Sequence, residues 1–161
     1  MNPENIRRLD IEKLRVLHRN CLLNLLNPVR SDQARELINL LHHEFVRRAT
    51  QESGGQFIPM LSCVGYNVRW KDLETRERRS LIDWMLHSEL PQINNADFMS
   101  KWGSPGSKRR FRCLYDTIQG YCDRYGQGPL MEVASARWKS DLAYIVQQGR
   151  LQRDDDPAWR Q

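Results

Sequence analysis

Between positions 111 and 125 the side chains Phe111, Leu114, Tyr115, Ile118, Tyr121, Cys122 and Tyr125 recur at the three- and four-residue spacing of one helix face. A strand alternates its faces every second residue, so this spacing fits a helix whose apolar side lies against a core. The same period returns along the chain. Residues 6 to 27 place Leu14, Leu17, Cys21 and Leu25 on one stripe with Leu22 and Leu26 beside it, and residues 32 to 50 do so with Ala34, Leu37, Ile38, Leu41 and Phe45. Residues 130 to 148 repeat it with Leu130, Ala134, Trp138, Leu142 and Ile145. Amphipathic helices bury their stripes against one another, so the chain is expected to be all-α.

Punctuation divides these helices. Asn27-Pro28 ends the first, and Ser31 offers an N-cap for the second, a connection short enough to predict an antiparallel helical hairpin. Two glycines in Glu52-Ser53-Gly54-Gly55-Gln56 break the chain next. Beyond them the segment to Gly65 reads as a short helix and Tyr66-Asn67-Val68-Arg69-Trp70 as an extended stretch. Thr75 caps a helix through Leu81, Ile82, Trp84, Met85 and Leu86 that Pro91 stops, and Asn94 or Asn95 caps a short one ending at Gly103. Ser104 or Ser107 starts the next. The expected organisation is an N-terminal hairpin over 1–53, a helical domain over 57–149 and a flexible acidic tail over 150–161 bearing Asp154-Asp155-Asp156.

A chain of 161 residues can bury roughly two thirds of its unfolded surface in one core. No apolar run approaches the roughly 18 residues of a membrane span, and the polar start Met1-Asn2-Pro3-Glu4-Asn5 carries no export signal, which predicts a soluble, cytoplasmic protein without a membrane partner. Cys21, Cys63, Cys113 and Cys122 stand far apart among apolar neighbours and read as reduced core thiols.

Catalytic and metal signatures are not evident. In His42-His43-Glu44 the two imidazoles are adjacent and point about 100° apart on a helix, whereas a helical zinc site needs them four residues apart. Both are expected at surface or half-buried positions. No phosphate-binding loop, nucleophile elbow or dinucleotide fingerprint is present, and Asp116 and Asp123 share a solvated helix face. The expectation is a non-enzyme with no metal and no cofactor.

What does stand out is charge. The net charge is +5, and 20 of the 25 cations are Arg, which grips phosphate and carboxylate bidentately. Between Lys101 and Arg112 lie five cations, Lys101, Lys108, Arg109, Arg110 and Arg112, and no acid, in Trp102-Gly103-Ser104-Pro105-Gly106-Ser107-Lys108-Arg109-Arg110-Phe111-Arg112. Cations at a helix start oppose the macrodipole unless an anion is near, so these residues are candidate phosphate contacts, with Ser107 supplying a pocket of backbone N–H groups. Trp102, immediately before the turn, is a candidate stacking platform for an unpaired base. Arg76, Arg78 and Arg79 form a second basic cluster, diluted by Asp72, Glu74 and Glu77 at helical spacing. These features predict binding of nucleic acid, DNA or RNA, mainly through the phosphate backbone. The alternative is a protein-interaction module. In it Leu14, Leu17, Leu22, Leu25 and Leu26, a band wider than one neighbour requires, pair two copies of the chain, and the basic cluster meets an acidic protein partner.

Residues from about 61 to 146 also carry a resemblance. Leu61-Ser62-Cys63-Val64-Gly65-Tyr66-Asn67-Val68, Glu77-Arg78-Arg79, Phe98-Met99-Ser100-Lys101-Trp102-Gly103-Ser104-Pro105-Gly106-Ser107 and Trp138-Lys139-Ser140-Asp141-Leu142-Ala143-Tyr144-Ile145 resemble, in that order, an uncharacterised helical bacterial domain. The resemblance implies a bacterial or phage origin and a boundary near Gly54-Gly55. It implies no activity and no catalytic residues.

Overall fold

The computed structural model describes residues 2–54, 58–68 and 73–155. Parts of the sequence expectations lie outside these residues: Gly55 of the glycine break, Arg69 and Trp70 of the extended stretch, Asp72, and the tail from Asp156 onward. Eight α-helices account for most of the described chain, which is all-α: α1 (Pro3–Arg7), α2 (Ile11–Asn24), α3 (Ser31–Glu52), α4 (Met60–Cys63), α5 (Thr75–His87), α6 (Ala96–Trp102), α7 (Lys108–Tyr125) and α8 (Glu132–Asp155). A 3-10 turn over Pro129–Met131 leads into α8.

The caps refine the expected boundaries. The helix expected over residues 6 to 27 is two, because the Asp10 carboxylate accepts the Lys13 N–H at 2.8 Å and restarts the helix inside the apolar stripe. Ser31 and Thr75 are first helical residues rather than caps, the caps being Arg30 and Glu74. Asn95 accepts the Phe98 N–H at 2.9 Å and opens α6 as expected. At the far end α8 continues to Asp155, past the expected start of the tail at residue 150.

One apolar core runs through the described chain, from Ile6, Leu14 and Leu22 through Leu41, Met60 and Met85 to Leu114, Ile118 and Ile145. Helix α2 packs on both α3 and α5. That double burial is why its apolar band is wide. Between α2 and α5, Arg19 Nη2 pairs with Glu77 at 3.1 Å and the Ser80 hydroxyl donates to the Leu22 carbonyl at 2.8 Å. A polar cluster closes the opposite side: Tyr66 Oη donates to Asp141 Oδ2 at 2.7 Å, and Arg78 Nε donates to the same oxygen at 2.8 Å. Burial and the Asp141 carboxylate raise the Tyr66 pKa well above that of a free phenol, so it stays a donor. The cluster joins the Gly65-Tyr66 segment, the Arg-rich helix and the Trp138-to-Ile145 helix, three of the four stretches quoted for the resemblance.

Candidate nucleic-acid interface

The corner between α6 and α7 is built from its backbone outward. Gly103 leaves α6 at φ +66°, and Gly106 at φ +71° completes the reversal. A side chain at Gly103 would lie 2.9 Å from Arg109 Cβ and from Ser107 Oγ, so the stem of Arg109 rests directly on that turn. The Gly106 N–H donates to the Leu86 carbonyl at 2.8 Å, pinning the corner to the end of α5.

Ser107 is the N-cap of α7: its hydroxyl accepts the Arg110 N–H at 3.2 Å and donates to the Ser104 carbonyl at 2.7 Å. The Ser107 N–H itself donates to Ser104 O at 3.2 Å. Three donors of the expected pocket, the Gly106, Ser107 and Arg110 N–H groups, are thus satisfied within the protein. Arg110 leaves the surface altogether. The residue is 2% exposed, and its guanidinium donates to four carbonyls: Trp102 at 3.1 Å, Gly103 at 2.7 Å, Met85 at 2.7 Å and Ser88 at 2.9 Å. Burial draws its pKa below the ordinary arginine value, but a guanidinium keeps its charge at neutral pH. Trp102 is likewise corrected: it borders the cleft, but at 2% exposure it is core, packed edge-on against Phe98 with ring centroids 6.4 Å apart, and too little of its ring is open for a base to stack on it.

Of the four cations that stay outside, Lys101, Arg109 and Arg112 border a cleft of about 600 Å³ between α6 and α7. A fourth cation, Arg124, lines it too. Sequence reading missed Arg124 because it lies outside the acid-free run. Its signal was periodicity: Arg109, Cys113, Asp116, Thr117, Tyr121 and Arg124 fall on one face of α7. The floor is apolar, with Pro59, Met60, Phe98 and Tyr121. Burial keeps the Tyr121 phenol and the Cys113 thiol above their ordinary pKa values, so both are neutral. Asp116 is the one acid lining the cleft among the described residues, and it faces Arg112 at 3.7 Å with both side chains mostly exposed. Such a pair contributes well under about 1 kcal/mol and yields readily to a phosphate. Lys108 lines a second groove towards α8, which shares Arg112 and Asp116 with the first.

The second basic cluster disperses. Arg78 is 1% exposed and held by Asp141, 63 residues away, rather than by the local acids expected. Arg79 lies 4.9 Å over the Tyr144 ring, and Arg76 is exposed. The leucines expected at an interface divide as well. Leu14 and Leu22 are fully buried within the chain's own core, Leu17 and Leu25 pack on its edge, and Leu26 stays 51% exposed. His42, expected near the surface, is buried with its ring nitrogen 3.0 Å from that of His18, while His43 is exposed.

Comparisons of the chain with known protein families, with curated proteins and with solved structures give no match.

Proposed function

We propose that this protein binds nucleic acid, without catalysis, through phosphate contacts at the cleft between α6 and α7. The observation that carries the reading is the rim: Lys101, Arg109, Arg112 and Arg124 around one concave surface, against the single acid Asp116 among the described residues. Cations brought together from two helices against so little negative charge repel one another unless an anion is bound between them. The titratable groups are compatible with a binding role: His18 faces His42, Asp141 is held by Arg78 and Tyr66, and Asp83 accepts from Tyr144, all away from the cleft, while the Cys113 thiol and Tyr121 phenol that line it are kept neutral. The four cysteines are free thiols, which suits a cytoplasmic location, and the resemblance over residues 61–146 supports a bacterial or phage origin.

The test is fluorescence anisotropy of labelled single- and double-stranded DNA and RNA over a range of salt. Four phosphate contacts predict that log K falls against log salt with a slope of about −3. The triple variant Arg109→Ala/Arg112→Ala/Arg124→Ala, verified as folded by circular dichroism, is expected to bind at least about tenfold more weakly and with a flatter slope. Arg110 stays intact in this experiment because it holds the corner together. Absence of binding to every nucleic acid at low salt overturns the reading and turns attention to an acidic protein as the partner of the same cations.

A further inference from the structure

Resting on that reading, we infer that the cleft takes a single strand, with bases against a track of aromatic rings that continues beyond it. On the far side of Tyr121 and Arg124 lies a second cleft of about 580 Å³, and these two side chains line both. The two clefts are therefore neighbours along one surface. Rings are spaced along it: Phe98 in the first cleft, Tyr121 at the junction and Tyr125 in the second. Tyr121 and Tyr125 are one helical turn apart, with centroids 6.2 Å apart, and Tyr121 is backed by Trp138 at 6.0 Å. Tyr125, 53% exposed, is a large aromatic left to water where the core does not need it.

The chemistry of this surface selects its occupant. A duplex carries its phosphates on a convex cylinder and keeps its bases stacked inside, so it reaches the cation rim and leaves the rings wet. An acidic peptide satisfies the cations but has no general use for a row of aromatic faces. A single strand supplies both halves at once, phosphates for Arg109, Arg112 and Arg124 and flat bases for the rings between them. Stacking of this kind tolerates any base, because every base has a π face, so little sequence preference follows.

The experiment measures a labelled dT oligomer and a labelled rU oligomer, each of about 12 nucleotides, beside a DNA duplex of the same length, for the full chain and two variants. The variant Tyr125→Ala removes a ring that contributes little to the core, and Tyr121→Leu keeps the apolar volume of the junction without its ring. The expected result is that a single strand binds at least about tenfold more tightly than the duplex, and that Tyr125→Ala weakens it by about fivefold or more without changing the duplex affinity or the salt slope. The two oligomers show which sugar the track prefers. Equal affinity for strand and duplex, or single-strand binding that Tyr125→Ala leaves untouched, overturns the track while phosphate binding stands. Failure of all three probes to bind at low salt overturns both.

Discussion

Arg110 shows how differently neighbouring arginines in one basic run behave. Its partners are four backbone carbonyls, those of Trp102, Gly103, Met85 and Ser88, gathered from the ends of α5 and α6. Removing the guanidinium strands these acceptors at a cost of about 1–3 kcal/mol for each that water cannot reach. Arg110→Met is therefore expected to lower the unfolding free energy by about 3 kcal/mol or more, whereas the exposed neighbour change Arg112→Ala shifts it by no more than about 0.5 kcal/mol. Urea denaturation of the two variants checks this, and equal stabilities would refute the role given to Arg110. The distinction was legible in the sequence. Arg110 falls four residues before Leu114 and eight before Ile118, on the core stripe of α7, while Arg109 and Arg112 fall off it. What could not be read was the cradle itself, since carbonyls at the ends of other helices leave no mark in side-chain identity.

Between α2 and α3, the His18 and His42 rings meet at 3.0 Å in the core, beside Phe45 and Trp84. One nitrogen donates and the other accepts, so the accepting ring must be neutral, and burial disfavours charge on either. Burial pulls His18 down to about 4, and His42 well below its ordinary value, with the charges of His18 and His43 adding to the effect. A folded-state value below the unfolded value of about 6.5 means that the unfolded chain binds more protons as pH falls. The contribution is thus complete above about pH 6.5 and lost as pH drops towards 4. His18 alone is expected to lower the unfolding free energy by about 2 kcal/mol between pH 7 and pH 5, with His42 adding to the fall, and His18→Gln, which keeps a polar partner for His42 without titrating in this window, is expected to remove the His18 share of that slope. Urea melts across the range measure it, and a wild-type profile that stays flat would sink the assignment. Periodicity found these helices because each one writes its buried face into its own spacing. It could not find partners 24 residues apart, as here, or 63 apart, as Arg78 and Asp141 are, because a stripe names a face and not the neighbour it meets. For the same reason the break at Asp10 stayed hidden: the apolar period continues on both sides of the cap.

The core joins the two halves that the glycine break suggested. Leu14 and Leu22 of α2 and Ile38 and Leu41 of α3 are fully buried in the same cluster as Leu81 and Met85 of α5 and Leu61 and Cys63 of α4. A hairpin serving only to pair two copies of the chain would be dispensable for folding of the rest. Here its removal uncovers the inner faces of α4 and α5, and each large apolar side chain returned to water costs roughly 2 kcal/mol. A handful of such losses equals the whole stability of a typical domain, about 5–15 kcal/mol. Deletion of residues 1–53 is accordingly expected to abolish the cooperative thermal transition of residues 54–161, read by circular dichroism, and with it any binding at the cleft. The consequence reaches the site, because α5 receives the Gly106 N–H at Leu86 and the Arg110 guanidinium at Met85, and those contacts set the corner that carries Arg109. A fragment lacking the first 53 residues that still melted cooperatively would show instead that the hairpin is a separate unit, and that the cleft is assembled without it.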